Sequence, residues 1–564
     1  MKRTLKLLGM VSILVTGSLM TLKASAATFQ NGSVTIGVNG SLNGPVFPYL
    51  GTNPGMRMVI NQQFATLLNR MPDLSLAPEL VTKYWYANGG TKVYMQLSKT
   101  AVWSDGVPVT SQDVKLAVNF LASNYYNTVL QGTEGYRVTP IVGVNAVRSG
   151  STSQVSGFHI VNSKEFYLQL TTPDATVVNE DLQGIMPLPS HLLANKSMST
   201  WLNLPVIASA SVGSGPYILN HSTLAEVSMK ANPKFILGKP KLPQLNLIGV
   251  TPQSAQGLLE DGQIDLYSGL APSQVAGLAN SGLQILTTPS NEYTFLSFRD
   301  TRPGYFMPEF RQAVEYALNR TAIINAAVNG FGVLDNGPIP PSSFWYNQKL
   351  TGTYAYNPQL ARDTLVKAGF HLGPTDWIVQ PDGSPINPVI EYVQGDPYGQ
   401  AEAQEIVKDL RYIAINAQLG PALSAQQMVT EMQTDSPQLT AFVMGWHLGV
   451  DPDPRGLWRS SDTFNLYTCN WTNTLNTAVS QSDQLIQQQA TGSTAFSTSG
   501  RQTVLNTWQT LLNQQLPVDF LFTPDVIAAA NKRLQNVVMS PLGPMNTWMW
   551  TESNPSATSS SVTS

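Results

Sequence analysis

The chain has 564 residues, of which 42% are apolar, so it is long enough for several domains with hydrophobic cores, and wholesale disorder is excluded. Its 32 Lys and Arg residues against 35 Asp and Glu residues give a formal net charge of −3, without the basic excess by which nucleic-acid-binding proteins neutralise phosphates. Charged residues make up 12% of the chain, half of the ~25% usual for soluble proteins, and the single cysteine, Cys469, excludes an intrachain disulfide and a multi-thiolate metal site.

The low charge content indicates a surface covered by Ser, Thr, Asn and Gln side chains, which do not titrate. A fold that depends on few carboxylates loses less stability when those carboxylates are protonated. We therefore hypothesise tolerance of acidic surroundings, with ordinary compositional drift as the alternative.

The N-terminal segment has the features of a secretory signal. A cationic start precedes a short apolar run over Leu7–Val15 and the small-residue pattern Ala24-Ser25-Ala26. We expect removal of residues 1–26 and a periplasmic or cell-surface protein; an uncleaved membrane anchor is the alternative. No cysteine stands near this cleavage pattern, so a lipoprotein anchor is not expected. The Ser-rich tail, residues 553–564, is expected to be disordered.

The first strand of the mature chain is predicted over Ser33–Val38. Thr91–Leu97 alternates apolar and polar residues, which is typical of a half-buried strand. Thr110 and Asp113 are placed to cap a helix that begins at Ser111.

The later elements continue the alternation of helices and strands. They are, in order, a strand over Phe166–Leu170, a glycine-rich turn at Gly213–Tyr217, a helix over Phe310–Val328, a helix from Asn357-Pro358 to Gly369, and a helix over Ala403–Ile415. This alternation predicts an α/β protein, and we find no internal repeat.

The sequence is poor in catalytic motifs. It contains no HExxH zinc pair, no GxSxG nucleophile turn, no GxxxxGK[ST] phosphate loop and no GxGxxG, and its five histidines are scattered. These absences favour a binding protein without cofactor or metal. An exported hydrolase and a surface adhesion or scaffold protein remain as alternatives of other classes.

Several motifs resemble, in the same order, those of the family-5 extracellular solute-binding proteins, the peptide-binding components of ABC importers. The matching positions are Leu76-Ala77, Trp85, Trp103, Asp105-Gly106, Pro108, Thr110, Asp113-Val114, Pro187–Leu192, Gly213–Tyr217, Asn232–Pro240, Gly262–Asp265, Arg311–Arg320 and Tyr356–Gly369.

The resemblance implies a two-lobed clam-shell of the periplasmic-binding-protein type II fold with an extra subdomain. Lobe I would comprise residues 28–55, 186–290 and 515–552, the extra subdomain residues 56–185, and lobe II residues 291–514. A peptide would be enclosed between the lobes without chemical change, and the closed form would be read by a membrane permease. We expect a monomer, and an oligosaccharide or another small solute is the alternative ligand.

The segment Gly445–Pro454 is similar to a family loop in which an Asp three residues after the Trp pairs with the α-ammonium group of a peptide. Gly449 stands at that position, and acidic residues follow at Asp451 and Asp453. The resemblance therefore points to Asp451, and next to Asp453, as the ammonium-binding group. The alternative is that both aspartates shape a Pro-containing turn.

Further candidate ligand contacts are aromatic residues and a histidine beside the expected cleft. Trp446 is a candidate wall of the cleft, although a position in the core is equally compatible with its type. The others are His447, Phe47, Tyr49, Trp345 and Tyr346.

Overall fold

The computed structural model describes residues 32–51, 53–278, 281–299, 302, 304–434, 436–462 and 477–553. In this part of the chain, helices alternate with strands that form three large sheets, which confirms the predicted α/β class. The predicted signal, Cys469 and nearly all of the predicted tail lie outside the described residues.

The largest sheet has eight strands and forms the centre of what we call lobe I. In spatial order these strands are Leu283–Pro289, Phe522–Asn531, Leu266–Ser268, Ser33–Asn39, Gln244–Val250, Glu226–Ala231 and Tyr217–Ser222, with Gly332–Leu334 paired to Phe522–Asn531. The predicted first strand is confirmed as Ser33–Asn39, which pairs in parallel with both of its neighbours. Strands far apart in the sequence therefore meet around the N-terminal strand.

A five-stranded sheet forms the centre of what we call lobe II. Its strands are, in spatial order, Gln418–Leu423, Val389–Val393, Ala441–His447, Glu292–Phe298 and Asp519–Phe520. Apolar side chains of helices cover both sides of this sheet. The helices on one side include Pro308–Ala317, Arg320–Val328, Pro358–Lys367 and Gly399–Tyr412, and those on the other are Ala425–Gln433, Thr477–Thr491 and Thr498–Gln515.

The chain crosses between the two lobes at two neighbouring places. One crossing joins Leu283–Pro289 to Glu292–Phe298, and the other joins Asp519–Phe520 to Phe522–Asn531. Hydrogen bonds tie the crossings together, because the Ser290 N–H donates to the Pro524 carbonyl (2.9 Å) and the Leu521 N–H donates to the Thr294 carbonyl (2.9 Å). Two adjacent connections of this kind restrict the relative motion of the lobes to bending about one line.

A four-stranded antiparallel sheet forms the centre of the extra subdomain. Its strands are Val81–Ala87, Lys92–Leu97, Glu165–Gln169 and Phe158–Asn162, in spatial order. The helix Ser111–Ala122 packs beside them and begins as predicted, with the Thr110 N–H donating to the Asp113 carboxylate (2.6 Å). The apolar core of the subdomain continues into lobe I through Ile60, Phe64 and Phe235.

The remaining elements are short. Two-stranded sheets pair Leu68–Arg70 with Leu76–Pro78, His371–Leu372 with Ile378–Val379, Leu534–Gln535 with Thr551–Glu552, and Val538–Ser540 with Gly543–Met545. Other α-helices are Pro54–Gln63, Val144–Arg148, Ser190–Leu193, Pro205–Ala208, Pro252–Glu260 and Pro272–Leu278, and π-helical turns span Tyr125–Val129 and Val178–Leu182. Turns of 3₁₀ helix are Asn88–Gly90, Gly135–Val138, Met198–Asn203, Gln348–Leu350 and Thr547–Met549.

The predicted single helix over 310–328 is wrong: two helices, Pro308–Ala317 and Arg320–Val328, occupy this stretch. The first ends where Leu318 takes an extended conformation (ψ 117°). Asn319 then caps the second helix, because its side chain accepts a hydrogen bond from the Ala322 N–H (3.1 Å). A cap residue in the middle of an apolar pattern of helical spacing restarts the helix in a new direction.

Two strands pair across the predicted segment boundaries. Gly332–Leu334 belongs by sequence to the predicted lobe II segment but pairs in the lobe I sheet, and Asp519–Phe520 belongs to the predicted lobe I segment but pairs in the lobe II sheet. Both strands lie next to the crossings, where the chain changes lobe. We count the helix Pro54–Gln63 with lobe I because it packs against strands of the lobe I sheet, although the subdomain is predicted to begin at residue 56. The boundaries of the three predicted segments otherwise stay a prediction.

Candidate ligand-binding site

A cavity of about 800 Å³ lies between lobe I, the subdomain and one loop of lobe II. Lobe I contributes the end of its first strand, the helix Pro54–Gln63 and the segment Ser540–Trp548. The subdomain contributes residues around Arg70, Arg137 and Glu180, and lobe II contributes Leu448–Val450. We call this space the interlobe cavity. Its size is that of a site for a small organic ligand.

Five charged side chains stand on the wall of the interlobe cavity: Arg57, Arg70, Glu79, Arg137 and Glu180. The Arg70 Nη1 donates to the Leu74 carbonyl (2.8 Å), and Arg70 also bonds Asn179. The Arg137 Nε donates to Glu134 (2.7 Å), which balances its charge.

Glu79 is held differently, because it is buried and accepts hydrogen bonds from the Thr66 hydroxyl (2.6 Å) and the Thr66 N–H (3.2 Å). Burial raises the pKa of Glu79 to about 7, although the two hydrogen bonds from Thr66 lower it. This carboxyl group is therefore partly uncharged at neutral pH.

Glu180 lies at the point where the subdomain meets the lobe II loop. It is half-buried in the π-helical turn Val178–Leu182, and its Oε2 accepts the N–H of Asp451 (3.0 Å). Burial raises the pKa of Glu180, and the hydrogen bond from the Asp451 N–H lowers it. The nearby charge of Asp451 adds to the rise, whereas Arg70 and Arg137 lower it. A Cβ atom on Gly449 would lie 3.1 Å from Oε2 and 3.2 Å from Oε1 of Glu180, so the glycine leaves room for this carboxylate.

Asp451, the first predicted ammonium-binding residue, already forms an ion pair with Arg501. Both of its carboxylate oxygens accept hydrogen bonds from Arg501 (2.5 Å each), and Oδ2 also accepts from the Asn179 amide (2.8 Å). The residue is 2% exposed and does not reach the interlobe cavity. Contact between Asp451 and a ligand stays a prediction that would require Arg501 to release this carboxylate.

Asp453, the second candidate, forms part of a polar connection between the subdomain and lobe II. It accepts hydrogen bonds from the Arg455 Nε (2.7 Å) and the Gln489 amide (2.9 Å). Arg455 in turn donates to both oxygens of Asp174 in the subdomain (3.0 and 3.1 Å), and the Ala175 N–H donates to the Ala490 carbonyl (2.7 Å). We call Asp174, Ala175, Asp453, Arg455 and Ala490 the interlobe latch.

The other candidates of the lobe II loop lie at the end of the strand Ala441–His447. Trp446 is half-buried against an apolar cluster of lobe II and lines a small pocket of about 50 Å³ together with Asp451 and Asp453. The side chain of His447 is 82% exposed, with its Nδ1 3.3 Å from Glu292. Neither residue lines the interlobe cavity, although the next residues, Leu448–Val450, do.

The structure places the four remaining aromatic candidates in hydrophobic cores instead of on the cavity wall. Phe47 and Tyr49 pack against Phe120 in the core of the subdomain, and the Tyr49 hydroxyl donates to the Met186 carbonyl (2.5 Å). Trp345 and Tyr346 are buried in lobe II, where the Arg501 guanidinium lies 4.6 Å from the centre of the Trp345 ring. Their burial is explained by packing, and contact with a ligand stays a prediction.

No sequence motif predicted the five charged groups of the cavity wall. They come from three separate stretches of chain and belong to none of the motifs. The one pointer is Gly449, which stands where the resembling loop carries an acid, and the carboxylate of Glu180 lies beside it.

Among the described residues, no group of three or more His, Cys, Asp or Glu side chains is arranged to hold a metal ion. In the same part of the chain, no helix combines the length and the apolar character needed to cross a membrane.

Two lobes joined by a double crossing, with a cavity between them, define the class of two-lobed binding proteins. The sequence model of the family described as bacterial extracellular solute-binding proteins, family 5 (Middle), matches residues 75–467, which are more than half of the chain. The chain therefore belongs to this family. It is thus a non-enzymatic component of a transport system, and its family is extracellular or periplasmic.

Two relatives and one solved structure are similar to this chain. The oligopeptide-binding protein AppA of Bacillus subtilis (strain 168) is 20% identical over 444 residues, which are 78% of this chain and 78% of AppA. Heme-binding protein A of Haemophilus influenzae is 27% identical over 254 residues, 44% of this chain and 43% of that protein. The solved structure of the periplasmic murein tripeptide binding protein MppA, in its unliganded open form, has a TM-score of 0.77 and 15% identity, and covers 93% of this chain and 98% of that one. The likeness confirms the predicted type II fold.

Proposed function

We propose that the protein captures peptides in the interlobe cavity and delivers them to the membrane permease of an ABC importer. The observation that carries the proposal is the cavity itself, which is walled by both lobes and the subdomain and has charged groups of both signs on its surface. A peptide with free ends carries both signs of charge and fits such a wall. The names of AppA and MppA agree with a peptide ligand.

The arrangement links binding to a signal that a permease can read. A ligand that contacts lobe I and the loop Leu448–Val450 at once is bound best when the lobes are close together. It therefore shifts the population toward the closed form by as much as its affinities for the two forms differ. We expect a monomer to carry out this cycle after export and removal of residues 1–26.

Residues of the lobe II loop remain part of the proposal. Trp446, His447, Asp451 and Asp453 flank Leu448–Val450, so closure that moves this loop also moves them. An oligosaccharide, a heme or another small solute is the alternative ligand.

The test is mass spectrometry of solute released by denaturing protein that was purified without unfolding. We expect a set of peptides from the natural chain and a strongly reduced yield from Asn61→Trp, which places a large side chain on the cavity wall from an exposed position. Gln359→Trp, at an exposed position of the lobe II helix Pro358–Lys367, is the matched control and should release as much as the natural chain. Release of a sugar, a heme or no solute, or equal release from both variants, would contradict the proposal.

A further inference from the structure

Glu180 has a carboxylate oxygen that the protein itself leaves available. Its Oε2 accepts the N–H of Asp451, whereas its Oε1 accepts no hydrogen bond from the part of the chain that the structure describes. The side chain is half-buried and lies on the wall of the interlobe cavity. A half-buried carboxylate with a free oxygen is a strong acceptor for a positively charged donor, because water competes poorly with that donor there.

The other charged groups of the cavity wall do not offer the same acceptor. Glu79 is buried and bonded to Thr66, and its pKa of about 7 leaves it partly uncharged at neutral pH. Arg70 and Arg137 are cations, and each is held by partners of its own: Asn179 and the Leu74 carbonyl for Arg70, and Glu134 for Arg137. Neither arginine forms an ion pair with Glu180 among the described residues, so its charge is not neutralised by direct contact.

The lobe II loop is shaped to leave this carboxylate open. Gly449 lies against Glu180, and a side chain there would begin 3.1–3.2 Å from both oxygens, which is closer than nearly all side-chain contacts. A Cβ atom at this position would therefore require the Glu180 carboxylate to shift by a few tenths of an ångström. Because the second oxygen binds the Asp451 N–H, a ligand at Glu180 sits where the subdomain and lobe II touch.

We infer that Glu180 is the group of the interlobe cavity that binds the positively charged amino terminus of a peptide ligand. The inference rests on the proposed function, since it assigns one end of the proposed ligand. It also differs from the prediction for Asp451, because that carboxylate is neutralised by Arg501 and Glu180 is not. Orientation of the peptide would follow from the position of this single acceptor.

The experiment uses a synthetic library of random pentapeptides, prepared with free and with acetylated amino termini. Both forms are mixed with the full chain, and the retained peptides are quantified by mass spectrometry after gel filtration. The natural chain should retain the free form about 10- to 100-fold over the acetylated form, as expected for a charge-assisted hydrogen bond. Glu180→Gln should retain the two forms within about threefold of each other, because an amide keeps the shape but loses the charge.

Asp181→Asn is the matched control, since Asp181 follows Glu180 in the same turn and does not line the interlobe cavity. It should keep the preference of the natural chain, and thermal melting checks that all variants are folded. An unchanged preference in Glu180→Gln, or a preference lost in Asp451→Asn and kept in Glu180→Gln, would overturn the inference. Failure of the natural chain to retain either form would instead contradict the proposed function.

Discussion

Glu402 is buried in lobe II, and neither of its carboxyl oxygens has a well-aligned hydrogen-bond partner among the described residues; the nearby Thr294 hydroxyl lowers its pKa but less than burial raises it. Glu402 lies on the helix Gly399–Tyr412, is 1% exposed, and faces the negative charges of Asp396 and Glu292. Burial raises its pKa from 4.5 to about 8, and the two neighbouring acids add to the rise. The folded protein therefore keeps this group protonated over a pH range in which the unfolded chain ionises it.

The sign and size of the effect follow from the two pKa values. Because the folded pKa is raised, the contribution of Glu402 to stability is complete below pH 4.5 and is lost as the pH rises to about 8. One pKa unit corresponds to about 1.4 kcal/mol, so the loss across this window is of the order of 5 kcal/mol. Glu402→Gln removes the ionisation, and we expect the variant to be more stable than the natural chain by that amount at about pH 9 and equally stable at about pH 4.5.

The measurement is the free energy of unfolding in urea, compared between the natural chain and the variant at each pH. Glu405→Gln is the matched control, because Glu405 lies on the same helix and pairs with exposed Lys408 (2.6 Å), a solvent-screened contact that contributes little to stability. The control should follow the natural chain at every pH. Parallel pH profiles for Glu402→Gln and the natural chain would refute the reasoning, because they would mean that Glu402 ionises in the folded protein as easily as in the unfolded chain.

Two further predictions concern the polar contacts between and within the lobes. Arg501→Met leaves the buried carboxylate of Asp451 without its partner, and we expect it to lower the free energy of unfolding at neutral pH by about 3–5 kcal/mol. The double variant Arg501→Met with Asp451→Leu should recover most of that loss. Equal losses in the single and the double variant would contradict this prediction. Arg455→Gln removes the hydrogen bonds to Asp174 in the interlobe latch and should speed amide hydrogen exchange at Ala175 about 5- to 30-fold. The exchange is measured by mass spectrometry, and an unchanged rate would show that the latch does not hold this segment.

Much of the fold was predictable because local signals and tertiary structure agree. The alternating strand from residue 92 and the helices from residues 111 and 358 begin where polar caps and periodicity place them, and Gly369 ends the last of these with φ +92°. The break at Asn319 was not predicted, because apolar spacing continues through it although the extended Leu318 and the Asn319 cap separate the two helices. The pairing of Asp519–Phe520 with the lobe II sheet could not be predicted from local sequence either, since it depends on a crossing between segments about two hundred residues apart.

The candidate site was less predictable for a physical reason. The lobe II loop was identified by its motif, and its residues Leu448–Val450 do reach the cavity. Aromatic side chains serve equally well in a core and on a cavity wall, so residue type could not separate Trp345 or Tyr49 from a ligand contact. The charge of Glu180 becomes meaningful only when the fold brings it to Gly449, 269 residues later in the chain.

The low charge content of the chain and the buried acids of lobe II both favour stability below neutral pH. Burial raises the pKa values of Glu315, Asp335 and Glu391 to about 7, and Glu315 faces Asp519, a second buried acid whose pKa is raised further. The folded lobe therefore bears an ionisation cost at neutral pH that protonation removes. With charged residues at 12% of the chain, the surface has few ion pairs to lose in acid. Mild acidification thus removes this ionisation cost, and we expect the free energy of unfolding of the protein to be higher at about pH 6 than at about pH 8.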